Sequence, residues 1–263
     1  MTYLTIGSAS HIGQKKNENQ DHFGFNIPED GSMPEKGFLL ALADGMGGRP
    51  GGAVASRIAI DTLMEEYYKD KSRNIIESLK NTFLKINEAV IAKGDEDRSI
   101  QGMGTTLVAV ALKKDKMYYS YVGDSRGYVI YNNEISQFTE DHSMVASLVK
   151  AGYITEEQAP TYPGGNIITK AIGIDPELKI DKCQNKKKIK KGQYILLCCD
   201  GLYNEVSNDD ILKTVIEHVE PDRICRKLVE QANEHGGQDN ITVVVARVEK
   251  VGLISSLTSR FTE

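Results

Sequence analysis

An apolar run bounded by an aspartate constrains this chain most, because the pattern occurs five times. Phe38–Ala43 ends in Asp44-Gly45, and Tyr194–Cys199 ends in Asp200-Gly201. Met117–Val122 leads to Gly123-Asp124, Asp239-Asn240 precedes Ile241–Ala246, and Asp21 opens the shorter run His22–Phe25. Runs of this length bounded by glycine suit buried strands better than helices. A carboxylate at the end of a buried strand is costly unless something neutralises it. A single such Asp reads as a turn residue or helix cap. Five in similar context point to convergence, and converging carboxylates repel one another. Divalent cations remove that repulsion, and all-oxygen ligation suits the hard ions Mg2+ and Mn2+.

The chain has 263 residues, 40% of them hydrophobic and 26% charged, which suits one large domain or two small ones with a full core. A net charge of −5 gives no reason to expect nucleic acid as a partner. It also argues against an anionic membrane surface. No apolar run reaches the length of a membrane span, and the N-terminus MTYLTIGSAS lacks a signal-peptide layout, so a cytoplasmic location is expected. Cys183, Cys198, Cys199 and Cys225 show no CxxC spacing and read as reduced core thiols.

Tyr3–Ile6 and His22–Asn26 read as strands around a polar loop, Gly13–Gln20. Ile60, Leu63, Met64 and Tyr67 mark one helix after Gly52. Ile76, Leu79, Phe83, Ile86 and Val90 mark a second, starting near Ser72 and ending at Gly94. Strands are expected at Thr106–Leu112, Met117–Val122, Gly127–Tyr131 and Glu134–Phe138, with hairpin signals at 113–116 and Asn132-Asn133. The stretch 141–173 changes character, with short helical patterns broken by Gly and Pro, and reads as a flap inserted in the core domain. Leu178–Cys183 reads as a strand, and the lysine-rich 186–191 as a solvated loop or edge. Ser207 caps a helix with Asp210 at the fourth capping-box position, and Pro221 starts another. Residues 1–250 thus form a single domain, and 251–263 a polar tail. Two strand groups, each followed by a helix pair, predict an α+β architecture. It is a four-layer α-β-β-α sandwich of two mainly antiparallel sheets flanked by helix pairs.

Three other chemistries do not fit the sequence. The glycines at 45–52 lack the Gly-Lys-Ser/Thr of a P-loop and do not fit GxGxxG. No cysteine has an arginine six residues on, as a cysteine phosphatase would need. Gly123-Asp124-Ser125-Arg126-Gly127 is a literal GxSxG, but a nucleophile elbow needs a helix next, and Tyr128–Tyr131 is strand-like.

The ordered set of segments resembles the bacterial metal-dependent Ser/Thr protein phosphatases, the PPM family of protein phosphatase 2C type. Matching stretches are Gly13-Gln14-Lys15-Lys16-Asn17-Glu18-Asn19-Gln20-Asp21, Asp44-Gly45-Met46-Gly47-Gly48, 102–106, Val122-Gly123-Asp124-Ser125-Arg126, Asp141-His142-Ser143, Cys199-Asp200-Gly201-Leu202 and Gly237-Gln238-Asp239-Asn240-Ile241-Thr242. The resemblance covers about residues 5–247 and implies roles residue by residue. Asp44 would bridge two cations and Gly45 lend its carbonyl. Asp200 and Asp239 would hold the first cation, Asp21 the second or its water. Asp124 would join Asp200 at a third. The implied cofactor is Mn2+ or Mg2+, and the implied reaction is direct attack of a metal-bridging water on phosphoserine or phosphothreonine in proteins. The implied partners are phosphoprotein targets of a Ser/Thr kinase, and a monomer is expected. A catalytically dead binding module is the alternative, but its mark would be a lost metal aspartate, and none is lost. The chain departs from the pattern twice. Lys16 stands where the family carries a phosphate-gripping Arg, and Arg49 where bacterial members commonly carry His. Both are candidates for the phosphate contact. His142 reads as a hydrogen-bonding anchor rather than a general acid.

Overall fold

The computed structural model describes residues 2–27, 34–48, 50–165, 167–182 and 187–251. In chain order the elements are β1 (Tyr3–His11), β2 (Asp21–Asn26), β3 (Phe38–Asp44), α1 (Gly52–Lys69) and α2 (Ile75–Glu96). Then come β4 (Leu107–Lys113), β5 (Lys116–Val122), β6 (Arg126–Tyr131), β7 (Glu134–Gln137) and α3 (Met144–Lys150). The last group is β8 (Asp181–Lys182), β9 (Lys187–Lys188), β10 (Tyr194–Cys198), α4 (Asp200–Tyr203), α5 (Asn208–His218), α6 (Pro221–His235) and β11 (Ile241–Lys250).

One sheet runs β1-β11-β10-β6-β7 and the other β2-β3-β4-β5-β8, with β9 also paired to β5. Every pairing is antiparallel. Helices α1 and α2 cover the second sheet, α5 and α6 the first, so the expected α-β-β-α layering is present. Strand β10 shows why its sequence is a continuous apolar run. Ile195 and Leu197 join the core between the sheets, whereas Leu196 and Cys198 join the cluster under α5 and α6. Both faces are buried, so the usual alternation with polar residues disappears.

Local chemistry fixes the helix ends. The Asn74 side chain accepts the Ile76 N–H, and the Ser207 hydroxyl oxygen accepts the Asp210 N–H. Pro221 occupies the first turn of α6, where its missing N–H costs nothing. At the far end of α1, the Lys36 ammonium donates to the carbonyls of Tyr67 and Asp70 and to Ser78. This buried cation caps α1 and ties it to α2.

Four local expectations are corrected. Strand β1 extends to His11, because all of 3–11 finds partners on β11. Helix α2 passes through Gly94 and stops at Glu96. A glycine costs a helix only about 1 kcal/mol, and Gly94 packs against the 100–102 backbone, where a Cβ would make ordinary van der Waals contact. The strand expected over Leu178–Cys183 shrinks to Asp181–Lys182, within the described residues, because only Ser120 and Tyr121 of β5 pair with it. The strand read as ending at Cys199 stops at Cys198, and Cys199 starts the turn into α4. Lys187–Lys188 lies on the sheet edge beside Lys116 and Met117, in keeping with an exposed lysine-rich edge. Arg49, Cys183 and the tail beyond Val251 lie outside the described residues.

The stretch 141–173 contains α3, a single turn at Ala159–Thr161, and exposed Tyr153 and Ile167. Its two stems are held differently. Thr169 N–H donates to the His142 carbonyl, and Thr105 exchanges two backbone hydrogen bonds with Ile172. Ala171 and Ile172 are buried, so the C-terminal stem belongs to the core.

Candidate metal centre

The strand ends that carry aspartates meet at one edge of the sandwich. Antiparallel register sets Asp21, the first residue of β2, directly opposite Asp44, the last of β3. The Asp44 backbone is clamped. Its N–H donates to the Thr106 hydroxyl at 2.9 Å, and its carbonyl accepts from Thr106 N–H at 2.8 Å and Thr105 Oγ1 at 2.8 Å. Gly45 N–H donates to the Gln20 carbonyl at 3.1 Å. A Cβ on Gly45 would lie 2.4 Å from the Gly52 carbonyl, so only glycine lets the start of α1 approach this turn.

From the other sheet, Asp200 opens α4 and Asp239 sits just before β11. Asn240 fixes the second approach. Its amide donates to the carbonyls of Ile12 and Glu18 at 2.9 Å each, and its Oδ1 accepts Gln20 N–H at 2.8 Å. The polar loop 12–20 is thereby folded over Asp239. Asp124 follows β5 and is buried.

The electrostatics register the crowding. Burial pushes the Asp44 carboxyl well above the usual range, reinforced by the charges of Asp21, Asp200, Asp124 and Asp239. Burial raises Asp21 to about 6, Asp200 to about 6 with Asp239 adding to it, and Asp124 to about 7 with Asp200 adding to it. Both Asp21 side-chain oxygens are buried without a hydrogen bond. An orphaned buried carboxylate beside four others fits a divalent cation, which supplies the missing countercharge. Mg2+ and Mn2+ fit such an oxygen-rich set.

The structure brings together Asp21, Asp44, Gly45, Asp124, Asp200 and Asp239. Lys16 enters the same cleft, its ammonium 2.7 Å from Asp239 Oδ1 and 2.8 Å from Oδ2. Burial opposes that charge, but the hydrogen bond to Asp239 and the nearby Asp200 and Asp44 outweigh it and raise the Lys16 pKa. Sequence reasoning placed Lys16 in the cleft without seeing this ion pair. It also missed Cys199, whose sulfur lies with carboxylate oxygens of Asp21 and Asp44 in a group of atoms all within 4.8 Å of one another. Its position immediately before Asp200 was the available signal.

Two neighbouring motifs have structural work. The Ser125 hydroxyl is buried against Thr106 Oγ1 at 2.7 Å and leads into strand β6, so the GxSxG motif forms no elbow. His142 Nδ1 accepts Gly123 N–H at 3.0 Å, and its Nε2 lies 3.1 Å from Asp181. Burial lowers its pKa. Its ring anchors the 141–173 stem to the Asp124 loop.

A two-sheet sandwich whose strand ends converge carboxylates on a divalent-cation centre defines a class of metallohydrolase. The family model for protein phosphatase 2C matches residues 8–233, and the chain belongs to that family. Protein phosphatase PhpP of Streptococcus pneumoniae is 34% identical over 250 residues, covering 94% of this chain and 98% of PhpP. The crystal structure of the serine/threonine phosphatase Stp1 from Staphylococcus aureus matches with a TM-score of 0.85 at 32% identity, over 95% of this chain and 96% of that one. The catalytic domain of the serine/threonine protein phosphatase PstP, solved with two manganese ions, matches with a TM-score of 0.80 at 32% identity, over 95% of this chain and all of that one. No helix among the described residues is long and apolar enough to cross a membrane.

Proposed function

We infer that this enzyme hydrolyses phosphoserine and phosphothreonine in proteins with the help of divalent cations. The carrying observation is buried Asp21 set opposite half-buried Asp44 at the meeting point of both sheets, with Asp200, Asp239 and Asp124 around them. Asp44 would touch two cations, Asp200 and Asp239 the first, Asp21 and the Gly45 carbonyl the second, and Asp124 with Asp200 a third. Mn2+ or Mg2+ bound there supplies charge to a phosphate group and lowers the pKa of water. The rigid strand ends hold the carboxylate spacing, and the Thr105 and Thr106 hydrogen bonds keep Asp44 from turning. The substrates would be targets of a Ser/Thr kinase, met in the cytoplasm by a monomer. A panel of phosphopeptides tests this reading: phosphate release from phosphoserine and phosphothreonine should far exceed that from phosphotyrosine. A preference for phosphotyrosine would refute it. In the same panel, exchanging 144–167, the part of the 141–173 flap between its anchored stems, for a relative's segment should change peptide preference and barely alter hydrolysis of a small aryl phosphate. Equal effects on both would make the segment core.

Lys16 would hold the substrate phosphate. It presents a point charge on a flexible stem, whereas arginine offers a planar fork with two parallel N–H bonds. Lys16→Ala should raise KM on a phosphopeptide by about tenfold, ~1.4 kcal/mol, with a smaller fall in kcat. Lys16→Arg should lower KM below wild type. If neither variant changes KM while Arg49→Ala raises it, the phosphate contact belongs to Arg49.

Asp124 follows β5, and its charge bears on Asp44. Asp124→Ala should retain the tight cation pair in calorimetry and turn over more slowly. Loss of the tight pair in this variant would contradict its assignment to a third cation. Unchanged turnover per folded molecule would make Asp124 a turn residue only.

A further inference from the structure

Away from the carboxylates, a cavity of about 200 Å3 opens where the end of α2, the 101–103 loop and residues 173–176 meet. Val90, Ile91, Met103 and Pro176 give it apolar walls, and exposed Asp95 also lines it. Buried Asn87 fixes its width. Its Oδ1 accepts Gly173 N–H at 2.7 Å and its amide donates to the Asp175 carbonyl at 2.8 Å, which holds the 173–176 wall against α2. Two observations make one side of the cavity negative. Asp95 has no ion-pair partner among the described residues, because neighbouring Lys93 pairs with Glu96 at 3.1 Å. The carbonyls of Gly94, Asp95 and Glu96 accept no hydrogen bond among the described residues, so the negative pole of α2 is uncapped here. The cavity also adjoins the loop that follows Asp44. The carbonyl of Gly104, next to Met103, accepts Met46 N–H at 3.0 Å. A Cβ on Gly104 would meet both Met46 Sδ and Ile174 Cδ1, and Ile174, 39% exposed, lines the cavity.

We propose that this cavity is a specificity subsite for a lysine or arginine side chain of the substrate phosphopeptide, with Asp95 as the residue that selects it. The proposal rests on the reading of the chain as a phosphoprotein phosphatase. The methylene stem of such a side chain covers Val90, Ile91 and Met103, and its charged end meets Asp95 and the free carbonyls of α2. The lining favours this occupant over simpler ones. An apolar side chain would leave Asp95 and the helix end without a cation, and a short cation would leave the walls uncovered. Asp44 and Gly104 are separated by two residues of chain and one backbone hydrogen bond, on the order of 10 Å, which an extended peptide spans in about three residues. The basic residue therefore stands about three positions from the phosphorylated one. Its contact acts on the choice of peptide and leaves the chemistry at phosphorus unchanged.

Paired phosphothreonine peptides test this with the whole chain in Mn2+, each pair carrying lysine or norleucine at one position within about five residues of the phosphothreonine on either side. One placement of lysine should raise kcat/KM by about fivefold over norleucine, the upper end of what a partly exposed ion pair supplies. Asp95→Asn should abolish that gain, and Asp95→Lys should turn it into a preference for glutamate at the same position. Glu96→Gln should keep the lysine gain, because Glu96 is already engaged by Lys93. Hydrolysis of a small aryl phosphate should be equal in wild type and all three variants, which also shows that they fold. A lysine gain that survives Asp95→Asn overturns the proposal. So does a gain that Glu96→Gln removes equally, since diffuse surface charge would then be its source. The absence of a lysine gain at every position, with the peptides still hydrolysed, sinks this inference alone. No hydrolysis of any phosphopeptide in Mn2+ sinks the phosphatase reading beneath it.

Discussion

Asp44→Asn should lower phosphopeptide hydrolysis by about a thousandfold or more, ~4 kcal/mol of transition-state stabilisation, and at the same time stabilise the metal-free fold. The two effects share one cause. Asp44 is the carboxylate on which the charges of Asp21, Asp200, Asp124 and Asp239 all bear. An amide removes that repulsion, so the chelated variant should melt above chelated wild type. The same amide supplies too little charge to hold cations in register. The Thr105 and Thr106 hydrogen bonds reach the Asp44 backbone, not its side chain, so they survive the substitution. Thermal melting in chelator and steady-state kinetics in Mn2+ check the two halves. A variant that is less stable without metal would mean that Asp44 contributes to the fold by some contact other than charge.

The second large effect is on stability as a function of pH. Asp21 and Asp200 are raised to about 6 and Asp124 to about 7, whereas in the unfolded chain each has an ordinary aspartate value near 3.8. A folded pKa above the unfolded one means that the folded state binds protons more tightly. The stabilisation is complete below the unfolded pKa and is lost as pH rises through the folded pKa. Metal-free protein should therefore lose stability between about pH 4 and pH 7, by up to about 1.4 kcal/mol per pH unit for each proton released. Divalent cations replace those protons. Added Mn2+ should raise the melting temperature most at neutral pH and least near pH 4, with protons released on binding. A metal-free chain whose stability rises steadily from pH 4 to pH 7 would show that these carboxylates are not crowded together.

Most of the architecture was legible because the chain states it locally. Phe38–Asp44 and Tyr194–Cys198 are buried on both faces, so their apolar runs identify central strands without tertiary information. The cleft was legible for a related reason. An aspartate at the end of such a strand has few places to go, and the pattern occurs on both sheets. What stayed hidden depends on contacts between distant segments. Strand β1 continues to His11 through polar residues because β11 pairs with it, and Ser8 and Ser10 carry no local strand signal strong enough to show that. The edge strands β8 and β9 exist only where β5 offers them a partner. The Lys16–Asp239 pair spans more than two hundred positions of sequence and depends on Asn240 folding the 12–20 loop back. Cys199 reads as one more core thiol because it closes the apolar run that begins at Tyr194. Only the face it occupies sets it beside Asp21 and Asp44.

Phosphate release from a phosphothreonine peptide, measured on exhaustively chelated protein before and after Mn2+ is restored, tests the central claim most directly. The carboxylate centre predicts no release above background without metal and full recovery on adding Mn2+. Full activity in the chelated protein would contradict it.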